Sequence, residues 1–447
     1  MRFHGLVALG LGLFLSWGCQ YIAGLEQRSE RRAASEVGGE AGESGKGGEA
    51  GQGGAGTSAG QGGAGASSGK GGSFSGASGG GLGGMEEQAG SGGQQPVLAR
   101  PPPRVGKPKK TGMSESRWFI VKNLDLGYRD GNGIPLKSGF GKKVGFDFDG
   151  KCTVLGDASS RSCKSEGNPL FSQEGFADGE NCRDNLFGGS IFPAIGGLKP
   201  KFDWDLNYSV EYQGAQTLLF EIEDLDNGPN DAYAPANVYV AAKIYEGAPN
   251  WGEPQPRILD IESLDVIDQD GKTCVLQFNP SNNVATVPDG CEPKAKLRFD
   301  NGYVANNVWV SGPFDPAQGV VEQKEGSLWL GGVQIQAKLQ AVLVTMNFFD
   351  DEHLSVTSGM YGAVISAEEL KAALPGFLEK TCIPLSLFDT DIVSLVTALG
   401  DIRKDPPFHG DPKVLCDALT IGLGMTIVPS KLDGITIDGK FRPYVGK

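Results

Sequence analysis

The sequence predicts a mainly β protein with added helices, an α+β chain whose folded part is a β-sandwich with helical inserts and a helical C-terminal part. Three observations support this prediction. Residues 333–341 alternate strictly between apolar and polar side chains, as in a strand with one face on a core and one in water. Short runs rich in β-branched and aromatic residues, separated by turn residues, recur from residue 118 onward. Residues 366–378 then switch to helical spacing.

The amino terminus has the pattern of an exported, lipid-anchored protein. An apolar run at residues 6–15, too short to span a bilayer, is followed by Gly18-Cys19. This pattern resembles a bacterial lipobox, in which a peptidase cuts before the cysteine and its sulfur is lipidated. We therefore predict a signal peptide at residues 1–18 and a membrane anchor on Cys19, which two or more acyl chains make stable. An ordinary secretory signal with an incidental cysteine is the alternative.

Residues 19–112 are predicted to form a tether. Residues 33–93 consist mainly of Gly, Ser, Ala, Glu and Gln, and such a segment buries too little surface to offset its ordering entropy, so we expect it to be disordered. A flexible coil of about 60 residues has a reach of roughly 40–45 Å. Residues 100–110 combine prolines with Arg and Lys, which predicts a stiffer spacer that is either solvated or in contact with anionic lipid or polysaccharide.

Residues 113–447 are predicted to be one globular, β-rich domain. A short helical insert is expected at residues 185–195, where apolar residues precede Gly196-Gly197. The strands are expected at residues 118–124, 143–149, 217–222, 237–242, 295–299, 308–310, 327–329, 333–341 and 354–356.

A helical subdomain is predicted at about residues 365–425. Ser366 with Glu369 three residues later matches the capping box of a helix start. Residues 389–399 and 412–423 also read as helical. The β-rich part would therefore end before this subdomain.

The cysteines favour disulfides, because the chain is predicted to be exported. Cys274 and Cys291 flank a short polar loop, which predicts a disulfide across a β-hairpin. Cys382 and Cys416 flank the predicted helical stretch, and we predict that they form a second pair. No pairing is preferred for the remaining three cysteines of the domain, Cys152, Cys163 and Cys182. The sequence contains no Cys-x-x-Cys, which disfavours a redox enzyme or a zinc ribbon.

The chain is acidic, with 54 Asp and Glu against 40 Lys and Arg and a net charge of −14. Such a protein is a poor nucleic-acid partner, because contacts to phosphates dominate that affinity. Two acidic clusters suit calcium, which takes six to eight oxygen ligands. The first contains Asp147 and Asp149, with Asp184 further along the chain. The second contains Asp224, Asp226, Asn230 and Asp231. Hydrogen-bonded turns formed by Asp and Asn are the alternative for both clusters.

The residues that catalysis needs are sparse in the domain. His353 and His409 are its only histidines, and no Gly-x-Ser-x-Gly elbow is present, which disfavours a catalytic triad and a histidine-based zinc site. Two facing carboxylates could still form a glycosidase site. Exposed tryptophans could stack on sugars, but we expect most tryptophans to lie in the core.

Several runs of the domain are shared with a group of bacterial proteins. They are Trp118 with Leu124-Asp125-Leu126-Gly127, Phe146-Asp147-Phe148-Asp149-Gly150, Asp178-Gly179, Asp184-Asn185-Leu186-Phe187-Gly188, the acidic run from Asp224 and Trp309-Val310-Ser311-Gly312. In these runs the chain resembles lipoproteins of myxobacteria and related bacteria that carry a glycine-rich tether. The resemblance implies an envelope address and this architecture, and it implies no activity. In such lipoproteins Gln20 after the cysteine implies the outer membrane.

We therefore predict an outer-membrane-anchored, non-enzymatic surface binding module. Structural calcium at the acidic clusters is one interpretation of these residues, and hydrogen-bonded turns are the other. The ligand of the module is expected to be a glycan or an envelope protein. An exported carbohydrate-active hydrolase is the alternative.

Overall fold

The computed structural model describes most of the chain between residues 99 and 441. The described residues are 99–112, 116–127, 143–165, 177–198, 201–213, 215–241, 243–244, 251, 255–260, 264–281, 284–314, 324–330, 333–380, 400–408, 410–436 and 440–441. The predicted signal peptide, Cys19, the glycine-rich part of the predicted tether, Cys382, His409 and the predicted helix at 389–399 lie outside them.

Strands dominate the described residues, which confirms the mainly β class. The strands are β1 (Arg117–Asp125), β2 (Thr217–Ile222), β3 (Ala236–Ala241), β4 (Lys243–Ile244), β5 (Gln255–Asp260), β6 (Leu264–Asp268), β7 (Gln277–Asn279), β8 (Val284–Thr286), β9 (Cys291–Ala295), β10 (Leu297–Phe299), β11 (Tyr303–Ala305), β12 (Val308–Val310), β13 (Lys324–Leu330), β14 (Val333–Phe348), β15 (Val356–Ser366), β16 (Ala418–Thr436) and β17 (Lys440–Phe441). The helices are α1 (Phe192–Leu198), α2 (Phe202–Gln213) and α3 (Ala367–Lys380), with a π-helical turn at Phe187–Ile191 and a 3-10 turn at Ala158–Ser160.

Thirteen of these strands belong to one mixed sheet, whose main path runs β1-β2-β3-β5-β16-β15-β14-β12-β11. The long strands β14, β15 and β16 pair antiparallel and form its centre. The alternating residues 333–341 lie in β14, as predicted, and β14 continues to Phe348 with a register shift between Leu339 and Ala341. The predicted division into two packed sheets is not established. Thirteen of the described strands form this sheet, and the other four form two small sheets of two strands each, β4 with β17 and β6 with β9.

The sheet curls because β16 pairs with four strands, β15, β1, β5 and β8, along its 19 residues. Its first half pairs with β15 and β1, and its second half runs parallel to β5. Pairing along β1-β2-β3-β5-β16 and back to β1 therefore closes a circuit of five strands. The circuit surrounds apolar side chains that include Ile120, Leu219, Tyr239, Leu259 and Ile435.

The other face of the sheet carries the largest core, and the helices cover part of it. Phe119, Phe220 and Trp309 belong to this core together with Leu206 of α2 and Leu370 of α3. The opposite face of β14 and β15 belongs to another cluster, which contains Leu343 and Val364 together with Phe148. Both faces of the central strands are thus buried, and this explains why their sequences contain few charged residues.

The helix start at residue 366 is confirmed, but the predicted helix at 412–423 is wrong. The Ser366 Oγ accepts a hydrogen bond from the Glu369 N–H at 3.2 Å, which is the N-cap bond of a capping box. The Glu369 carboxylate accepts from the Lys338 N–H at 3.1 Å. Residues 418–436 instead form β16, because Leu419, Ile421 and Leu423 alternate onto the core face of the sheet. Glycine between them lets the sheet approach its neighbours: a Cβ at Gly422 would lie 2.8 Å from the Asn185 side chain. The described part of the helical subdomain is therefore α3 alone.

Three disulfides lie among the described residues. Cys274 pairs with Cys291, as predicted. The predicted Cys382–Cys416 pair is wrong, because Cys416 pairs with Cys163, which lies 253 residues earlier. Cys152 pairs with Cys182. A helix at residues 412–423 would have placed Cys416 near Cys382. Because residues 418–436 form β16 instead, Cys416 lies beside the distant loop that contains Cys163.

Within the described residues, no helix combines the length and the apolar character needed to cross a bilayer.

Candidate cation site

Three aspartates of the first predicted cluster meet at one point of the fold. Residues 143–149, predicted as a strand, form only a single antiparallel bridge, between Phe146 and Asp184, and then turn. This bridge places Asp147 and Asp149 beside Asp184. Each of the three carboxyl groups has an oxygen within 4.8 Å of the other two. Their exposed fractions are 0%, 2% and 5%, so a polymeric substrate cannot reach the group.

Backbone amides and one hydroxyl hold the three carboxylates in place. The N–H groups of Phe148 and Asp149 donate to Asp184 Oδ2 at 2.6 and 3.3 Å. The Gly150 N–H donates to Asp147 Oδ1 at 2.7 Å. The Ser162 hydroxyl donates to Asp149 Oδ2. A short turn thus supplies several donors, and it fixes the carboxylates before any ligand binds.

Asp178 and Asp401 extend the group to five carboxyls, which we call the acidic centre. Asp178 Oδ2 accepts from the Thr153 N–H at 2.5 Å. Asp401 accepts from the N–H and the hydroxyl of Thr420, at 3.1 and 2.5 Å. Burial is the main cause that raises the pKa of Asp178 and Asp401, and the negative charge of Asp149 adds to the rise of both. These carboxyls therefore interact electrostatically.

Burial makes the charged form of these groups costly. Burial first, and the charge of Asp149 second, raise the pKa of Asp147 to about 6 and that of Asp178 to about 9. Burial also raises the pKa of Asp401 to about 7. The pKa of Asp184 lies well above its usual value, because this carboxyl is buried among the other acids.

Few cations balance the acidic centre among the described residues. The Arg100 Nε lies 3.0 Å from Asp147 Oδ2. The Lys151 Nζ donates to the Gly410 carbonyl at 3.4 Å. Burial raises the pKa of Asp149, and the charge of Lys151 acts against that rise. One ion pair cannot neutralise five carboxylates. Without a metal, the raised pKa values keep part of the group protonated and uncharged. Full ionisation of Asp147, Asp149 and Asp184 would leave negative charge unpaired. A divalent cation held by Asp147, Asp149 and Asp184 would supply the missing charge.

Two disulfides brace the loops that carry the acidic centre. Cys152 and Cys182 join the segment after Asp149 to the segment before Asp184. Cys163 follows Ser162, and its bond to Cys416 ties that segment to the start of β16. These covalent links oppose the mutual repulsion of the carboxylates.

The proline-rich segment at residues 99–112, which the sequence assigned to the tether, packs on the domain. Besides the contact of Arg100, the Arg104 guanidinium lies 5.0 Å from the centre of the Tyr303 ring. The Tyr303 hydroxyl donates to the Pro102 carbonyl at 2.7 Å. Thr111 reaches Asp224 at the far end. The folded unit therefore begins near residue 99 rather than at 113, and a shortened variant should keep this segment.

In the second predicted cluster, the carboxylates already accept hydrogen bonds. Asp224 accepts from the N–H and hydroxyl of Thr111 and from the Gly112 N–H at 2.7 to 2.9 Å. Although burial raises it, these bonds hold the pKa of Asp224 below its usual value. Asp231 accepts from the N–H groups of Asp226 and Tyr233. This geometry favours the turn interpretation for the second cluster.

Asn230 in the same cluster also acts within a turn, since its Oδ1 accepts from the Asn306 N–H at 3.0 Å. His353 is fully buried, and its Nδ1 lies 2.9 Å from the Asp226 carbonyl. Burial lowers the pKa of His353. This histidine therefore packs against the second cluster and is not placed for catalysis on a substrate.

The tryptophans divide between core and surface. Trp309 is completely buried, as expected. Trp204 is 47% exposed and stacks on Tyr208, which in turn stacks on Tyr212, with ring centres 4.6 and 5.1 Å apart. These rings lie one helical turn apart on the outer side of α2.

The sequence reasoning identified Asp147, Asp149 and Asp184 but missed Asp178 and Asp401. Asp178 lies in one of the shared runs, which was the only available signal for it. No sequence pattern indicated Asp401, because the contact between its loop and Thr420 depends on the position of β16.

No protein-family model matches the chain, and no curated protein or solved structure shows significant similarity to it.

Proposed function

We propose that the folded unit is a calcium-binding, non-enzymatic module that a lipid on Cys19 anchors to the outer membrane. One observation carries the calcium proposal: Asp147, Asp149 and Asp184 lie within ligand distance of one another in a buried place where the described residues form a single ion pair. Carboxylate oxygens are the ligands that calcium prefers. The ion would act as a structural link between loops, because the burial of the three groups leaves no room for a polymeric substrate.

The external ligand of this module is proposed to be a glycan. The exposed row of Trp204, Tyr208 and Tyr212 supports this choice. Tyrosine hydroxyls and an indole edge offer both apolar surface and hydrogen bonds to sugar hydroxyls.

Calcium is expected to raise the melting temperature of the purified protein by about 5 °C relative to excess EDTA. The reason is linkage: an ion present at about 100 times its dissociation constant stabilises the folded state by about 2.7 kcal/mol. The measurement is thermal unfolding in about 1 mM calcium and in EDTA, with magnesium as a third condition.

Asp184→Asn is the decisive variant for this test. Its amide oxygen can still accept from the N–H groups of Phe148 and Asp149, but the charge is removed. We expect the calcium response to disappear while the melting temperature in EDTA stays equal or rises. Asp226→Asn, in the second cluster, is the matched control and should keep the full response. An unchanged response in Asp184→Asn would refute the site.

Cys19→Ser is expected to move the protein from the membrane fraction to the soluble fraction, since it removes the acylated sulfur. Fractionation of cells that produce each form measures this effect, and the mass of the amino-terminal peptide reports the lipid. A Cys19→Ser protein that stays with the membranes would contradict the anchor.

A further inference from the structure

The folded unit begins with residues 99–112, which we call the strap, and the strap begins at the acidic centre. The Ala99 N–H donates to the Asn181 carbonyl at 2.6 Å, and the Ala99 carbonyl accepts from the Asp147 N–H at 3.1 Å. Ala99 itself is buried. Its backbone therefore joins the two chain segments that carry the three carboxylates of the candidate cation site.

Arg100 brings a positive charge to this site. Its Nε lies 3.0 Å from Asp147 Oδ2, and the Asp147 side chain is fully buried whereas 37% of the Arg100 side chain is exposed. Of the described basic residues, Arg100 alone forms an ion pair with one of the three carboxylates. Burial raises the pKa of Asp147 and of Asp149, and the charge of Arg100 acts against that rise at both. The guanidinium therefore favours the ionised form of two of the three groups.

Charge balance favours calcium and the strap together rather than one in place of the other. Three ionised carboxylates carry three negative charges, and a calcium ion neutralises two of them. Arg100 neutralises the third. A carboxylate oxygen that accepts one hydrogen bond keeps a second lone pair for a metal, so Arg100 can stay in place when the ion binds.

The contacts of Arg104 provide a way to observe whether the strap is docked. Its Nη2 donates to the Asn301 carbonyl at 2.5 Å, and its guanidinium lies over the Tyr303 ring. Trypsin cleaves after an arginine that enters its own specificity pocket, so Arg104 must leave Tyr303 before this protease can cut. Val105 is exposed. Cleavage between Arg104 and Val105 therefore reports detachment of the strap.

We propose that calcium and the strap bind to the acidic centre cooperatively, with Arg100 as a positioning residue for the ion. This inference rests on the calcium site proposed above. If the docked strap tightens calcium binding by some factor, calcium must lower the detached fraction of the strap by the same factor. Calcium thereby controls whether the strap belongs to the folded unit or lengthens the tether that precedes it.

Limited trypsin digestion of the unaltered protein tests the proposal. We expect calcium to slow cleavage between Arg104 and Val105 about tenfold relative to EDTA, because the cleavage rate follows the detached fraction. The bond between Lys70 and Gly71 lies in the predicted tether and is the internal reference, which corrects for any effect of calcium on the protease. Mass spectrometry of the fragments distinguishes the two bonds.

Variants of the strap separate charge from mere packing. Arg100→Gln keeps an N–H donor but removes the charge; calorimetry should show about fivefold weaker calcium binding, and the protection by calcium should fall to about twofold. Arg100→Lys restores the charge and should recover most of both effects. Lys107→Gln removes an exposed charge from the same strap, away from the acidic centre, and should change neither.

The results distinguish this inference from the calcium site on which it rests. Suppose that calcium raises the melting temperature but leaves cleavage after Arg104 unchanged, or speeds it. The site then stands, and cooperativity with the strap is overturned. Unchanged calcium affinity in Arg100→Gln would also overturn it. If calcium neither binds in calorimetry nor raises the melting temperature, the site itself is refuted, and the inference with it.

Discussion

Replacement of Cys163 and Cys416 by alanine is expected to lower the free energy of unfolding by about 5 kcal/mol. The two cysteines are 253 residues apart, and a cross-link that closes a longer loop removes more entropy from the unfolded chain. Both cysteines are 1% exposed, so the double variant also loses packing. Urea unfolding followed by circular dichroism measures the change.

The Cys274–Cys291 disulfide provides the matched control, because it closes a loop of only 17 residues. Its double alanine variant should lose about 3 kcal/mol and keep the full calcium response. The Cys163 and Cys416 variant should also lose that response, since the bond ties the segment of Ser162 to β16. Equal losses in the two variants, or a normal calcium response in both, would show that the long-range disulfide does not brace the acidic centre.

Without divalent cations, the stability of the protein is expected to fall as the pH rises from about 4 to 8. Raised pKa values mean that the folded state holds more protons than the unfolded chain over this range, so each rise in pH favours unfolding. For Asp147 alone, a pKa of about 6 in the folded state against 3.8 in the unfolded chain lowers the stability at pH 7 by about 3 kcal/mol. Asp178 and Asp401 act in the same direction.

Calcium should reverse this trend, because it binds the ionised carboxylates and competes with protons. The measurement is the melting temperature between pH 4 and 8 in EDTA and in calcium. Asp184→Asn should flatten the dependence in EDTA, whereas Asp226→Asn should not. His353 has the opposite effect on stability. Burial lowers its pKa, so the stability that the neutral imidazole contributes is lost as the pH falls below about 6.5. A stability in EDTA that rises steadily from pH 5 to 8 would contradict the charge deficit of the acidic centre.

The sequence predicted the site in part. Asp147 and Asp149 alternate before a glycine, and this local spacing is visible in one chain segment. The contribution of Asp401 cannot be predicted from local spacing, since its contact with Thr420 requires β16 to start at residue 418. The helical reading of residues 412–423 concealed both this carboxyl and the true partner of Cys416.

Local patterns were sufficient to predict the mainly β class, strand β14, the capped start of α3 and the short-range Cys274–Cys291 disulfide. Each depends on residues a few positions apart, or on a single hairpin. Contacts between distant segments set the rest: the single curled sheet, the Cys163–Cys416 bond, the packing of residues 99–112 and the five-carboxyl centre. Their partners lie far apart in the chain, and they meet because β16 pairs with β15, β1 and β5 along its length. Side-chain periodicity shows which face of a strand is buried but not which strand lies beside it.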